Sequence, residues 1–263
     1  MNLLTQEDAE LTRLQLVVGC QRMEHLLSGL LDSKGRVAEK VHAIRKLGKA
    51  LRGGFVLFRL GNHSSPEIQV IGRMLSGPRD AVSRMSTWGK VAWEGGSESA
   101  AIGALLAQQT RSAARRPPPE TVAWCIERVA AARKHLEDLP AGALENRIAH
   151  GLGKLEKRVI KRCRGLDHSD IEEFHDARKA LKAYTGAIGF LPSGRVQLDP
   201  KLAALAELLG DENDLATLSN WLLSHGFTEA FVSELWDKLE EFRNRLRTEI
   251  IRDISLLIES GEG

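Results

Sequence analysis

Two runs of cationic side chains recur in this chain at one and the same spacing. The first, VHAIRKLGKALR, carries His42, Arg45, Lys46, Lys49 and Arg52. The second, FHDARKALKAYT, carries His175, Arg178, Lys179 and Lys182. In both, the cations stand three, four and seven residues after the histidine, which on a helix is one face. Arginine offers a planar fork of donors that matches phosphate oxygens, and lysine a mobile point charge. Imidazole adds one donor when neutral and two when charged. One cation per turn, a rise of roughly 5.4 Å, sets a row of charges beside a polymer with regularly spaced anions.

Such rows need helices to carry them, and the intervening residues supply the core faces. Arg45, Lys46 and Lys49 fall within roughly 60° of His42 on a helical wheel. Ile44, Leu47, Leu51, Phe55 and Phe58 gather on the other side. In the second run Phe174, Ala177, Ala180, Leu181, Tyr184 and Ile188 do the same. Neighbouring like charges cost about 0.2–0.5 kcal/mol per pair. No acidic residue lies between Lys40 and Glu67 to relieve that cost in the first run. A carboxylate from another helix, or a bound anion, is expected to do so.

A third basic helix is predicted in ALENRIAHGLGKLEKRVIKRCRG. Arg147, His150, Lys154, Lys157, Arg158 and Lys161 share one face, and Ile148, Leu152, Leu155 and Val159 form its core side. The net charge of +2 conceals a segregation. From Asp199 onward there are 6 basic and 14 acidic residues, against 31 and 21 before it, as a polyanion site requires. Aromatic residues are only 5% of the chain, which disfavours a base-stacking surface. Cys20, Cys125 and Cys163 lie far apart with no metal-ligand spacing, so they are expected to be reduced thiols. The acidic start (Glu7, Asp8, Glu10) lacks signal-peptide character, and no long apolar run suggests a membrane span. A cytoplasmic location with no membrane partner, no metal and no cofactor is the expectation.

Helical periodicity dominates the whole chain, predicting an all-α fold. Breaks near Asp32–Gly35, Gly61–Ser64, Gly95–Gly96, Arg116–Pro119, Pro140–Gly142, Gly165–His168, Pro192–Gly194 and Ser224–Gly226 leave about nine segments. Thr5, Ser65 before Pro66, Ser169 with Glu172, and Asp199 before Pro200 read as helix starts. The duplication reaches beyond the stripes, because LSGPRDAV (with Arg79 and Asp80) has a counterpart in LGDENDLA (with Asn213 and Asp214). Leu75 and Leu209 are 134 apart, and the two histidines 133. One domain, 1–263, with halves 1–139 and 140–263, is therefore expected. Pro66, Asp80, Pro200 and Asp214 read as caps and turn formers, and Asp176 as a first-turn acid favoured by the helix dipole.

The ordered set VHAIRKLGKALR, FHDARKALK and the leucine-led segments ending in Arg79-Asp80 and Asn213-Asp214 resembles the CHAD family, the conserved histidine α-helical domains. The resemblance spans nearly the whole chain. It implies two four-helix-bundle halves related by pseudo-two-fold symmetry. It also implies non-enzymatic binding of inorganic polyphosphate on a basic surface, with association to polyphosphate granules in some members. The chain departs from the family pattern at Ala50 and Ala183, where a second basic residue is common, and at Thr185, where arginine is. These changes are expected to thin the cationic surface, and Gly48, Gly53 and Gly54 to loosen the first stripe helix.

The residues expected to bind polyphosphate are His42, Arg45, Lys46, Lys49, Arg52, Arg147, Lys154, Arg158, Lys161, His175, Arg178, Lys179 and Lys182. The other polyanion to weigh is nucleic acid, since a basic helical surface does not itself distinguish phosphate polymers. A metal-dependent phosphohydrolase is a further alternative, resting on His175-Asp176 with His150 and His168 upstream. Adjacent helical residues point about 100° apart, which does not suit convergent ligands. A scaffold docking an acidic protein, or the acidic C-terminal third, is the last.

Overall fold

Short polar side chains start the helices, though not always the ones expected. The computed structural model describes residues 4–32, 37–91, 93–113 and 115–261, with the side chains of 78, 79, 113 and 258–261 outside the description. Helix α1, Gln6–Asp32, opens on a reciprocal cap. The Asp8 amide donates to Thr5 Oγ1 (3.1 Å), and the Thr5 amide donates to Asp8 Oδ2 (2.9 Å). After α2, Val37–Leu57, comes α3, Ser64–Met74. Ser65 is not its cap, since the helix has already begun at Ser64 and the Ser65 hydroxyl donates instead to the Arg52 carbonyl at 3.3 Å.

The expected single segment after Pro66 is two helices, α3 and α4, Ser76–Val91, parted at buried Leu75. The reason is Pro78, which has no amide hydrogen for the carbonyl four residues back, and which suits the first turn of a new helix. Helices α5, Gly96–Ala113, α6, Pro119–Glu137, and α7, Leu144–Cys163, follow. Helix α8, Ile171–Ile188, is capped by Asp170, whose Oδ1 accepts from the Glu172 and Glu173 amides at 2.8 and 3.3 Å. The expected cap, Ser169, donates to Asp167 instead. Asp199 caps α9, Pro200–Ser224, as expected, accepting from the Lys201 amide at 2.8 Å. Helix α10, Ser233–Gly261, closes the order. All ten elements are helices, with no strand among the described residues. The anticipated break at Asp32–Gly35 falls largely on residues 33–36, outside them.

Three apolar clusters hold these helices together. The first gathers α1, α2, α3, α6 and α7 with the end of α8, around Leu16, Met23, Ile44, Leu51, Phe55, Val129 and Leu152. The second joins α4 and α5 to α9 and α10, around Ile102, Leu106, Leu218, Leu222 and Leu239. The third joins α7 and α8 to α9 and α10, around Phe174, Leu181, Leu205 and Ile250. The clusters thus draw on helices from both sides of residue 139. Helices α7, α8, α9 and α10 each serve two of them. Cys20, Cys125 and Cys163 are buried free thiols, pushed up to about 12, 11 and 11 by desolvation.

An ion pair lies inside this framework. Arg247, on α10, gives two hydrogen bonds to Glu212 Oε1 of α9, at 3.1 and 2.7 Å. The two side chains are 5% and 1% exposed. Arg247 also donates to the His168 carbonyl and lies over the Phe174 ring at 4.7 Å, so its guanidinium is bonded and packed on several sides. No described helix is long and apolar enough to cross a membrane.

Candidate functional site

Helices α2 and α8 carry the two stripes, and they cross on small residues. A Cβ at Gly53 would collide with the Ala183 carbonyl oxygen, and one at Gly186 would lie 2.7 Å from the Ala50 Cα. Only backbones bare of side chains approach so closely. Gly53 and Gly186 are separated by the same 133 residues as Ala50 and Ala183, and as the two histidines. The contact of Gly53 with Ala183 therefore becomes, on shifting by one repeat, that of Gly186 with Ala50. Gly53 and Gly54 do not loosen α2. They are buried helix contacts, with Leu16 of α1 filling the space beside Gly54, and Gly48 similarly faces Ile68 and Met23. Ala50 and Ala183 take part in the same approach, each facing a glycine of the other helix.

Helix α7 joins the pair. A Cβ at Gly151 would lie 2.5 Å from both the Leu57 Cα and the Val56 carbonyl oxygen, so α7 also meets α2 through a glycine. The three basic helices predicted from sequence are thus mutual neighbours, since α7 also packs against α8.

Within the first stripe, His42, Lys46 and Lys49 are exposed, whereas Arg45 and Arg52 are partly buried. Arg45 donates to the Gly72 carbonyl at 3.2 Å and pairs with Asp80 at 3.3 Å. It thereby satisfies a carbonyl in the last turn of α3 and ties that helix to α4. Asp80 is the carboxylate from another helix that relieves the crowded first stripe. It is neither cap nor turn former, for it lies inside α4, as Asp214 lies inside α9. Its neighbour Arg79 has a side chain outside the described residues.

In the second stripe, Lys179 is exposed while His175, Arg178 and Lys182 are partly buried. His175 Nδ1 and Asn213 Oδ1 are 2.7 Å apart, and Asn213 Nδ2 faces Asp214 Oδ1 at 3.4 Å. That amide orientation makes Nδ1–H the donor, so neutral His175 keeps its lone pair on Nε2. Only the charged form can offer a second donor there. Asp176 is not in the first turn of α8, whose acids are Glu172 and Glu173. It bonds Lys179 at 3.0 Å and pairs with Arg162 of α7 at 3.2 Å. The Lys179 hydrogen bond, then the charges of Lys179 and Arg162, hold its carboxyl below the usual carboxylate range. The Lys182 ammonium lies by Gly210 of α9, 3.9 Å from where a Cβ would stand.

The third run divides similarly, with Lys154, Arg158 and Lys161 exposed and Arg147 partly buried. Its tie to the stripes runs through Arg52. Burial, followed by the charges of Arg158 on α7 and Arg73 on α3, disfavours the charged form of Arg52. Arg52 Nε is buried with no hydrogen-bond partner. Among the described residues no carboxylate pairs with Arg52, Arg73 or Arg158. Arg158 of α7 and Arg73 of α3 are thus near enough for their charges to oppose that of Arg52. Arg73 was not legible as part of this group, because nothing in sequence relates it to α2. Arg162, Asp80 and Asn213 likewise acquire their partners only through helix packing.

Among the described residues no three His, Cys, Asp or Glu side chains are grouped to hold a metal ion. Fold and site together define an all-α protein organised around two crossed, histidine-led helices. The family description "CHAD domain" matches residues 20–223. The chain belongs to the CHAD domain family. Among curated proteins none matches it. Among solved structures, it is similar to the crystal structure of the CHAD domain from the plant Ricinus communis. The two align over 94% of this chain and 86% of that one, with 17% identity and a TM-score of 0.63. At that identity the likeness is one of fold.

Proposed function

We propose that this protein binds inorganic polyphosphate without chemically transforming it, along a surface formed by α2, α8 and α7. The observation that carries the reading is that exposed Lys46 and Lys49 of α2 stand beside exposed Lys154, Arg158 and Lys161 of α7, its packed neighbour, with Arg158 near enough to weigh on Arg52. A bound polyanion would offset the mutual repulsion of these like charges. The crossing at Ala50, Gly53, Ala183 and Gly186 supports the same reading, since it sets the two stripes on adjoining helices. Its self-exchange under the 133-residue offset supports a two-fold relation between the halves. A linear phosphate polymer suits such a surface better than a small anion, because its charges repeat along the helix rows. The cytoplasm, at polyphosphate granules, is the location that this ligand implies.

The decisive experiment titrates the purified chain with long-chain polyphosphate at two salt concentrations, beside a Lys46→Ala/Lys49→Ala/Arg158→Ala variant. All three side chains are exposed, so the variant should keep its helical circular dichroism. Affinity should fall at least about tenfold in the variant, with a shallower salt dependence because fewer counterions are released. Unchanged affinity would sink the site. Tighter binding of RNA than of polyphosphate at matched salt would favour the nucleic-acid reading, and release of orthophosphate would overturn the non-enzymatic one.

A further inference from the structure

We infer that the outer face of α1 is a homodimer contact, in which two copies pair antiparallel about an axis passing between residues 14 and 15. The observation is an unpartnered apolar row. Leu11, Leu14 and Val18 are 44%, 50% and 59% exposed, and they recur at the three- and four-residue steps that keep them on one face. The opposite face of the same helix carries Leu16, Cys20, Met23 and Leu27 and is wholly in the core. A helix with a second apolar stripe has a second surface to cover.

Charge selects the occupant. The row continues into exposed Glu7 at its N-terminal end and into exposed Arg22 and His25 at its C-terminal end. Among the described residues neither Glu7 nor Arg22 is in an ion pair. The apolar and charged positions share one centre, because Leu11 and Val18 lie equally far on either side of it, and Glu7 and Arg22 do so too, four residues further out. An axis there brings Leu11 against Val18 of the partner subunit and Leu14 against Leu14 of the partner subunit. Glu7 then meets Arg22 of the partner subunit, and the reciprocal pair forms at the other end. A face that is complementary to its own antiparallel image is the signature of an isologous contact. Parallel pairing would instead oppose Glu7 to Glu7 and Arg22 to Arg22. The span from Glu7 to Arg22 is about 22 Å, at 1.5 Å per residue, long enough for a coiled-coil-like seam.

Sedimentation equilibrium of the full chain over a concentration series tests this. The wild type should show a monomer–dimer equilibrium. Leu14→Asp should weaken it at least about tenfold, because it places two carboxylates at the apolar centre, without altering the circular dichroism of the monomer. Glu7→Arg should weaken it about fivefold through two like-charged pairs. Adding Arg22→Glu to that variant should restore the dimer to within about twofold of wild type, because the attraction is re-formed with its signs exchanged. A wild type that stays monomeric throughout would overturn the inference and leave the face to a different partner. So would a dimer indifferent to Leu14→Asp, or a double variant no tighter than Glu7→Arg alone.

Discussion

Two glycines two residues apart on α7 should respond to the same substitution with opposite sign. Gly151 and Gly153 both occupy the interior of α7, and neither has the positive φ that would itself demand glycine. Replacing a helix-interior glycine by alanine gains about 0.8–1.0 kcal/mol of helix propensity. At Gly153 no described atom lies within 4 Å of the position a Cβ would take, so the gain should appear nearly whole. At Gly151 the Cβ would meet the α2 backbone at 2.5 Å, where ordinary contact begins near 3.4 Å. The obstacle is main chain and cannot swing away, so α7 and α2 must part by about 0.9 Å, the difference between those distances. Overpacking of this kind costs about 1–3 kcal/mol, and a main-chain clash belongs at the upper end. Gly151→Ala should therefore destabilise by about 2 kcal/mol net. For a chain of this size that is a melting temperature about 4–8 °C lower, against about 2–4 °C higher for Gly153→Ala. Thermal melts followed by far-ultraviolet circular dichroism measure both. If the two variants shift in the same direction, glycine-mediated seating of α7 on α2 is wrong. Gly151→Ala should also weaken polyphosphate binding, since it displaces Arg158 from Arg52.

Glu212→Ala should cost about 3–5 kcal/mol, because it strands the buried Arg247 guanidinium beside Arg243, and urea unfolding would show it. Replacing both partners, as Glu212→Leu with Arg247→Met, should recover most of that loss in the same assay; a double variant as unstable as the single would refute burial of a lone charge as the cause. Asp176→Asn should lower stability at neutral pH by about 0.5 kcal/mol, since its pairs are partly exposed. Because the folded carboxyl titrates below its usual 3.8, the contribution is present above that value and is lost as pH falls through the depressed one. Urea midpoints of variant and wild type should therefore converge in strong acid, and a gap that persists there would refute the assignment.

Much of the helix order could be read from residue chemistry. Asp199-Pro200 and Thr5 start helices because a side-chain acceptor meets a free amide two or three residues on, which is a local matter. Ser65 and Ser169 failed as caps for a reason only neighbours reveal. Ser65 is drawn to a carbonyl of α2, and Asp170 outcompetes Ser169 for the first amides of α8. The missed joint at Leu75 was signalled by Gly77-Pro78, but helical apolar spacing on either side hid it. Asp80, Asp176 and Asp214 were read by their position along the chain. Asp80 acts across helices on Arg45, and Asp176 on Arg162.

The sequence by itself determined the all-α class, because that depends on periodicity within single helices, and it also carries the three rows of cations and their spacing. Tertiary structure decided which cations are spent and which remain. Arg45 is committed to Gly72 and Asp80, and Lys179 to Asp176, whereas Arg52 is left among Arg73 and Arg158. It also reversed the meaning of the small residues, since Gly53, Ala183, Gly186 and Gly151 are where helices touch. Both outcomes depend on distances between helices far apart in the chain, and a one-dimensional pattern carries no such distances.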